Sequence, residues 1–319
     1  MIHRLRFIPA RLIQSIPVAL GVTFIVFFMA HLLPGNAALA LLGQRATAAS
    51  VAALTTQLGL DKPLWQQYFI FLSQLFQGNL GTSLTYQVPV SSLVLLALPV
   101  TLSLIGYALA LSLVISIPLA AIAAFRPGSA RDLGVRGFTL LGQGMPQFWV
   151  GIMLILIFAV GLRAFPVGGY GNTTADHVYF LFLPALTLAI AMAPTIIRSL
   201  RSSMITVLES EYVGTAKSKG SYGVALFRGH VLRNAAIPTV SVIGVNLGFL
   251  IGGSLVIERV FALPGLGSLM INSIFGRDFP TIQGVTLFVA LFVVVIGILT
   301  DIVYTMLDPR VDFGQKVRA

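Results

Sequence analysis

The sequence predicts an all-α fold, a polytopic membrane helix bundle with six transmembrane helices. Hydrophobic residues fill 57% of the 319 positions, charged residues fill only 9%, and the mean hydropathy is +0.94. A soluble domain carries roughly 25% charged residues, so this composition excludes an ordinary globular surface. Backbone amides and carbonyls cannot stay unpaired in lipid, and no ten-residue alternating segments of the barrel type are visible. The apolar stretches are therefore expected to be helices.

Six charge-poor stretches define the expected membrane spans. Each has about 20 residues or more, which is enough for a helix to cross a hydrocarbon core of roughly 30 Å. Five contain no Asp, Glu, Lys or Arg, and the sixth contains only Asp301, close to its end. The spans are expected at Leu12–Leu33, Ala97–Ala124, Gly137–Leu162, Val178–Ile197, Ala235–Ile257 and Gly284–Leu307.

The basic residues orient these spans. Fifteen of the 20 Lys and Arg residues fall on the side of the amino terminus, and five fall on the other side. By the positive-inside rule, both termini are expected in the cytoplasm, in a multi-pass protein of the cytoplasmic (inner) cell membrane. The same distribution accounts for the net charge of +10, so nucleic acid is not expected as a partner.

The spans divide the chain into three parts. Residues 1–33 are expected to form a cytoplasmic N-terminus and the first transmembrane helix, residues 34–96 an external (periplasmic) helical insertion, and residues 97–319 a five-helix core. Two further apolar stretches, Leu64–Gln77 and Leu266–Phe275, are too short to cross a bilayer. Both are expected to form helices on the external face.

Several chemistries have no residues to support them. The sequence has no Cys, only four His, and no Gly-Lys-Ser or Gly-Lys-Thr tripeptide with which to cradle phosphates. It also has no His-Glu-x-x-His pattern. We therefore expect a non-catalytic chain with no metal site and no bound cofactor. Asp301 lies within about two turns of the end of its span, where hydration or pairing with Arg310 is a simpler interpretation than ion coupling.

The cytoplasmic loop 198–235 within the core is the segment most indicative of function. It carries six of the 20 basic residues. Residues 211–220 can form a short helix that Gly220 would end, and a second helical stretch is expected at Val224–Asn234. One side of the short helix would carry Tyr212, Ala216 and Lys219. A basic loop that only enforces topology is the alternative interpretation.

The motifs of this loop occur together with others along the chain. Within the loop they are Tyr212-Val213, Thr215-Ala216, Lys219-Gly220 and His230–Pro238. Elsewhere they are Leu33–Ala37, Leu58–Tyr68, Gly78–Ser83, Pro264–Gly267, Arg277–Gly284 and Asp308–Arg310. In this order the chain resembles, nearly end to end, the dipeptide/oligopeptide (nickel) ABC importer permeases with a large external insertion after the first transmembrane helix.

The resemblance implies a type I-like importer permease fold and a role in moving peptides into the cell. Permeation of nickel or another small solute is an alternative, as are an autonomous secondary transporter and a membrane scaffold with no pathway. The implied partners are a second homologous permease subunit in a heterodimer, ABC ATPase subunits that hold ATP and Mg, and an extracytoplasmic substrate-binding protein. That protein would dock on residues 34–96 and on Phe261–Gln283.

The resemblance also assigns site residues. The ATPase-coupling residues would be Glu211, Tyr212, Thr215, Ala216, Lys217, Lys219 and Gly220. Tyr212 and Ala216 would supply apolar packing, the two lysines rim charges, and Gly220 a tight turn. A translocation path is expected where Gly, Ser, Asn and Pro allow helices to approach a second subunit. Its candidates are Gln143, Met145, Pro146, Met192 and Asn246.

Overall fold

A computed structural model describes residues 7–32, 47–57 and 61–307. These residues are helical throughout apart from connections and one isolated antiparallel bridge between Thr82 and Pro89, so the all-α prediction is confirmed for them. The helices are α1 (Phe7–Leu32), α2 (Ala48–Gln57), α3 (Leu64–Phe76), α4 (Val90–Ala124), α5 (Ala130–Gly144), α6 (Gln147–Leu154, continuing as a π-helical segment Ile155–Gly161), α7 (Thr174–Leu208), α8 (Glu211–Ser218), α9 (Gly223–Leu226, continuing as a π-helical segment Phe227–Leu232), α10 (Arg233–Val260), α11 (Leu266–Phe275) and α12 (Phe279–Leu307).

The described helices account for most of the expected spans. Four of them are long and apolar enough to cross a membrane: α4, α7, α10 together with the α9 segment, and α12. The α5–α6 pair would be a fifth if it counts as one bent span. The first expected span overlaps α1, a helix of 26 residues that includes the apolar stretch Ile13–Phe28.

The predicted third span, Gly137–Leu162, is wrong as a single straight helix. The chain breaks at Met145 and Pro146, and α5 and α6 meet there at 104°. Proline lacks an amide hydrogen and its ring disfavours a helical residue before it, so Met145 is extended at φ −90° and ψ 129°. Pro146 then serves as the N-cap of α6.

Helix α7 forms the centre of the molecule. It packs along α4 and α10, and residues such as Leu188, Ile196 and Met204 are completely buried. At 1.5 Å per residue its 35 residues measure about 52 Å, well beyond the roughly 30 Å of a hydrocarbon core. Residues 198–208 of the expected loop are thus a helical continuation of α7. Likewise α4 begins at Val90, inside the segment 34–96 that was expected to be the insertion.

An ion pair with a buried carboxylate fastens α7 to α5 at the end of the bundle that carries α8. The guanidinium of Arg201 donates to both carboxylate oxygens of Asp132, at 2.6 and 2.8 Å, and Arg136 donates to the same carboxylate at 2.6 Å. The Asp132 side chain is fully buried. It lies in the charged first turn of α5, before the expected membrane-crossing stretch.

A second buried carboxylate organises the opposite end, which carries α11. Glu258, near the end of α10, accepts hydrogen bonds from the Thr101 hydroxyl at 2.7 Å and from the amides of Gly267 and Ser268 at 2.7 and 3.2 Å. The two amides belong to the first turn of α11, whose unpaired N–H groups favour an anionic acceptor. An added Cβ on Gly265 would overlap the Glu258 carboxylate, so only glycine fits beside it.

Asp278 joins the segment before α4 to the turn between α11 and α12. Its buried carboxylate accepts hydrogen bonds from the Ser83 hydroxyl, from the Leu84 amide at 3.0 Å and from the Thr281 hydroxyl at 2.9 Å. The bond to Ser83 connects residues 195 positions apart in the sequence. The segment Gly78–Pro89 is therefore fixed to the helix bundle and does not hang from it as a free loop.

Candidate functional site

Helix α8 is seated on the bundle through two side chains. Val213 is completely buried and Ala216 is 9% exposed, and both belong to the main apolar core. Ala216 was expected to share an exposed side with Tyr212 and Lys219. In the structure Ala216 instead faces the helix bundle. It lies three positions after the buried Val213, and residues three apart share one face of a helix. This expectation is therefore corrected: Ala216 anchors the helix.

The opposite side of α8 is open. Tyr212 is 43% exposed. Exposed as well are Glu211, Thr215, Lys217, Lys219 and Gly220. Nearby, Tyr222 and Val224 expose large apolar side chains. An anchored helix that presents an aromatic ring between charged residues has the composition of a protein-docking surface, in which apolar contacts are rimmed by polar groups.

The carboxyl end of α8 is closed by a left-handed glycine, as predicted. Gly220 has φ +86°, its amide donates to the Lys217 carbonyl at 2.9 Å, and the Ser221 amide donates to the Ala216 carbonyl at 3.0 Å. These two bonds form the Schellman motif that satisfies the last carbonyls of a helix. The motif sets the direction in which the chain leaves the exposed tip.

Gly220→Ala is expected to destabilise the closing turn by about 1–2 kcal/mol, since an L-residue is strained at positive φ. The space around an added Cβ is empty, so the effect would be conformational only. Amide hydrogen exchange measures this effect: the amides of the α8 segment should exchange faster in the Gly220→Ala variant than in the wild type. Gly214→Ala is the matched control: its surroundings are equally empty, and within a helix alanine is favoured over glycine by roughly 0.5–1 kcal/mol. Equal exchange in the two variants would contradict this role for Gly220.

The proposed path residues differ in exposure. Gln143 and Pro146 are exposed at the α5–α6 break and Met145 is half-buried there. Asn246 is half-buried on α10, and its side-chain amide donates to the Val242 carbonyl of its own helix at 2.7 Å. Met192 is only 3% exposed within the core. The expectation for Met192 is therefore corrected, because the central position of α7 leaves no open face at that residue.

Sequence reasoning missed the residues that position both ends of the bundle. Arg201 was counted only among the basic residues outside the spans, Asp132 was not singled out, and Glu258 falls one residue beyond the expected span Ala235–Ile257. A signal was available, since the chain has only ten acidic residues. Acidic residues this scarce, placed beside apolar stretches, are candidates for buried partners.

The fold and this site define a class: a polytopic helical membrane protein with one anchored helix protruding from one end. Residues 116–313 match the family described as binding-protein-dependent transport system inner membrane component, and residues 4–105 match the N-terminal membrane component of the same systems. The chain belongs to this family of ABC importer permeases and is a multi-pass protein of the inner membrane.

Relatives extend over nearly the whole chain. The oligopeptide transport system permease protein AppB of Bacillus subtilis is 36% identical over 313 residues, covering 96% of this chain and 99% of AppB. A Brucella suis protein named for a peptide transport system is 39% identical over 306 residues, covering 95% and 98%. The inward-facing MetNI methionine ABC transporter has a similar fold, with a TM-score of 0.56 at 17% identity, covering 68% of this chain and 96% of the MetNI chain.

Proposed function

We propose that this chain is the permease subunit of an ATP-driven importer of the dipeptide/oligopeptide class. The names of the full-length relatives support the peptide cargo. The observation that carries the rest is the anchored, exposed helix α8 on a chain whose 319 residues hold no phosphate-binding motif. Such a chain must receive work through a contact with another subunit whose affinity differs between two states.

In this proposal α8 contacts an ABC ATPase that binds ATP and Mg. Tyr212 would enter the ATPase cleft, with Glu211, Thr215, Lys217 and Lys219 around it. The positive-inside rule supports placing α8 and both termini in the cytoplasm, and α11 on the external side. A second, homologous permease subunit would complete the pathway. A substrate-binding protein would dock near α11 and the segment Gly78–Pro89.

Tyr212→Ala is expected to weaken association with the ATPase about tenfold, because exposed aromatic anchors supply most of the binding energy at such interfaces. Co-purification of the ATPase from detergent extracts measures it, and membrane insertion of the variant should be unchanged. Tyr86→Ala is the matched control. Tyr86 is equally exposed, at 43%, but lies at the α11 end. If both variants bound the ATPase like the wild type, α8 would not be the docking element.

Reconstitution tests the function itself. The chain, a second permease subunit, the ATPase and the binding protein would be assembled in proteoliposomes and supplied with a labelled dipeptide, a labelled pentapeptide or nickel. We expect peptide uptake that requires ATP and all four components. Uptake driven by an ion gradient without ATP would identify a secondary transporter. Uptake of nickel without uptake of either peptide would identify nickel as the cargo. Undiminished uptake without this chain would indicate that the chain is a scaffold with no pathway.

A further inference from the structure

Helix α3 presents three distinct sides. Its contact side faces α1: the Tyr68 hydroxyl donates to the Leu20 carbonyl at 3.2 Å and lies 3.0 Å from the Thr23 hydroxyl oxygen. The Phe71 ring lies 5.9 Å from the Phe27 ring. No residue of α3 is fully buried, although the helix contains no charged side chain. Most of its surface therefore faces something other than the bundle.

The second side is an aromatic stripe. Trp65, Phe69 and Phe76 are 62%, 61% and 85% exposed. At 100° per residue these three positions fall within an arc of about 40°. The third side is polar and carries Gln66, Gln67, Ser73 and Gln74. An uncharged helix with an aromatic stripe on one side and amides on another has the pattern of a helix that lies in a membrane interface.

The position of α3 along α1 identifies what covers the stripe. Its contacts run from Leu20 to Phe27, which is the middle and second half of a helix whose ends are Phe7 and Leu32. Within the same band, α1 exposes Leu20, Phe24 and Ile25. The stripe on α3 and this band are both apolar, and α3 contacts α1 at the level of this band. At that level a membrane-crossing helix is surrounded by lipid acyl chains, so acyl chains are expected to cover the stripe.

We infer that α3 is an in-plane membrane-interface helix, with Trp65, Phe69 and Phe76 among the acyl chains of the leaflet nearer α11. Tryptophan and tyrosine are enriched in that layer because one edge of the ring is apolar and the other forms hydrogen bonds. The glutamine side faces the aqueous headgroup region. Helix α3 thus holds the start of the segment Gly78–Pro89 at the membrane surface, while Asp278 holds its other part on the bundle.

Single thiols test this directly, because the chain has no cysteine of its own. The full chain carrying Phe69→Cys would be labelled with a nitroxide and placed in lipid nanodiscs. Collision rates with oxygen, which partitions into acyl chains, and with a water-soluble nickel chelate would then be measured. Gln74→Cys on the polar side of α3 is the matched control. We expect the oxygen-to-chelate ratio of the Phe69 label to be severalfold higher than that of the Gln74 label.

Two other occupants give different results. If the stripe faced solvent, both labels would collide with the chelate at similar rates. If it faced a protein partner, adding unlabelled permease, ATPase and binding-protein subunits after labelling would suppress collisions with oxygen, whereas lipid contact leaves them unchanged. Either result would overturn the inference. Phe76→Cys repeats the measurement at the most exposed ring, so that a folding defect of one variant does not decide the outcome.

Discussion

Replacing Asp132 by alanine is expected to lower the free energy of unfolding by about 3–5 kcal/mol, because it leaves Arg201, whose side chain is only 19% exposed, without its counter-charge. The Arg201 guanidinium bonds both oxygens of this carboxylate, and the Gly128 amide donates to it at 2.9 Å. These bonds connect α7 to α5 at the end of the bundle that carries α8. The loss should therefore loosen the end of the bundle that carries α8.

Thermal and denaturant unfolding of the purified chain in detergent measures this effect. Arg136→Ala is the matched control, since it removes a bond to the same carboxylate from a side chain that is half exposed. Exposed ion pairs of this kind contribute about 0–1 kcal/mol. If the Asp132 and Arg136 variants lost the same stability, the bond between α7 and α5 would not hold the two helices together.

Glu258→Ala is the other change with a large expected effect, a loss of about 3 kcal/mol or more. The substitution leaves the Gly267 and Ser268 amides and the Thr101 hydroxyl without their acceptor, and each unsatisfied buried group costs about 1–3 kcal/mol. It also opens a cavity at a fully buried site. Helix α11 should detach first, because Glu258 binds its first turn.

Glu258→Gln separates hydrogen bonding from charge. A glutamine oxygen can accept from both amides, and its NH₂ group can donate to the Thr101 hydroxyl oxygen, so we expect a loss below about 1 kcal/mol. Unfolding in detergent, with hydrogen exchange of α11, distinguishes the two variants. Equal destabilisation by glutamine and alanine would indicate that the negative charge, and not the hydrogen-bond geometry, holds α11.

Local sequence signals predicted the two short helices closely. Helix α11 has the predicted limits Leu266–Phe275, and α3 ends one residue before the predicted Gln77. Both predictions rest on hydropathy and on flanking turn residues, which act over a few positions. Pro146 is a local signal of the same kind, because proline favours a helix break. The apolar composition on both sides of it nevertheless favoured one continuous span.

The burial of α8 on one face was only partly predictable. Position 216 carries alanine, which suits a buried contact and an exposed interface equally well. Only the packing of α8 against its own chain shows that Val213 and Ala216 anchor the helix and leave Tyr212 exposed. The translocation candidates failed at Met192 for the same reason, since composition does not indicate which face of a membrane helix is covered.

The sequence by itself determined that this protein is a membrane helix bundle, where most helices run, and which segment could contact a motor subunit. The first two properties follow from the free energy of transferring successive side chains from water into lipid and from local backbone preferences. The third follows from the resemblance of the loop motifs to those of importer permeases. Only the tertiary structure decided that Asp132 meets Arg201, that Glu258 binds the first turn of α11 and that Asp278 holds Ser83. The first and third contacts join residues 69 and 195 positions apart, and the second crosses the turn between α10 and α11. Packing in three dimensions brings each set of residues together, and the hydropathy of the sequence does not indicate which of them meet.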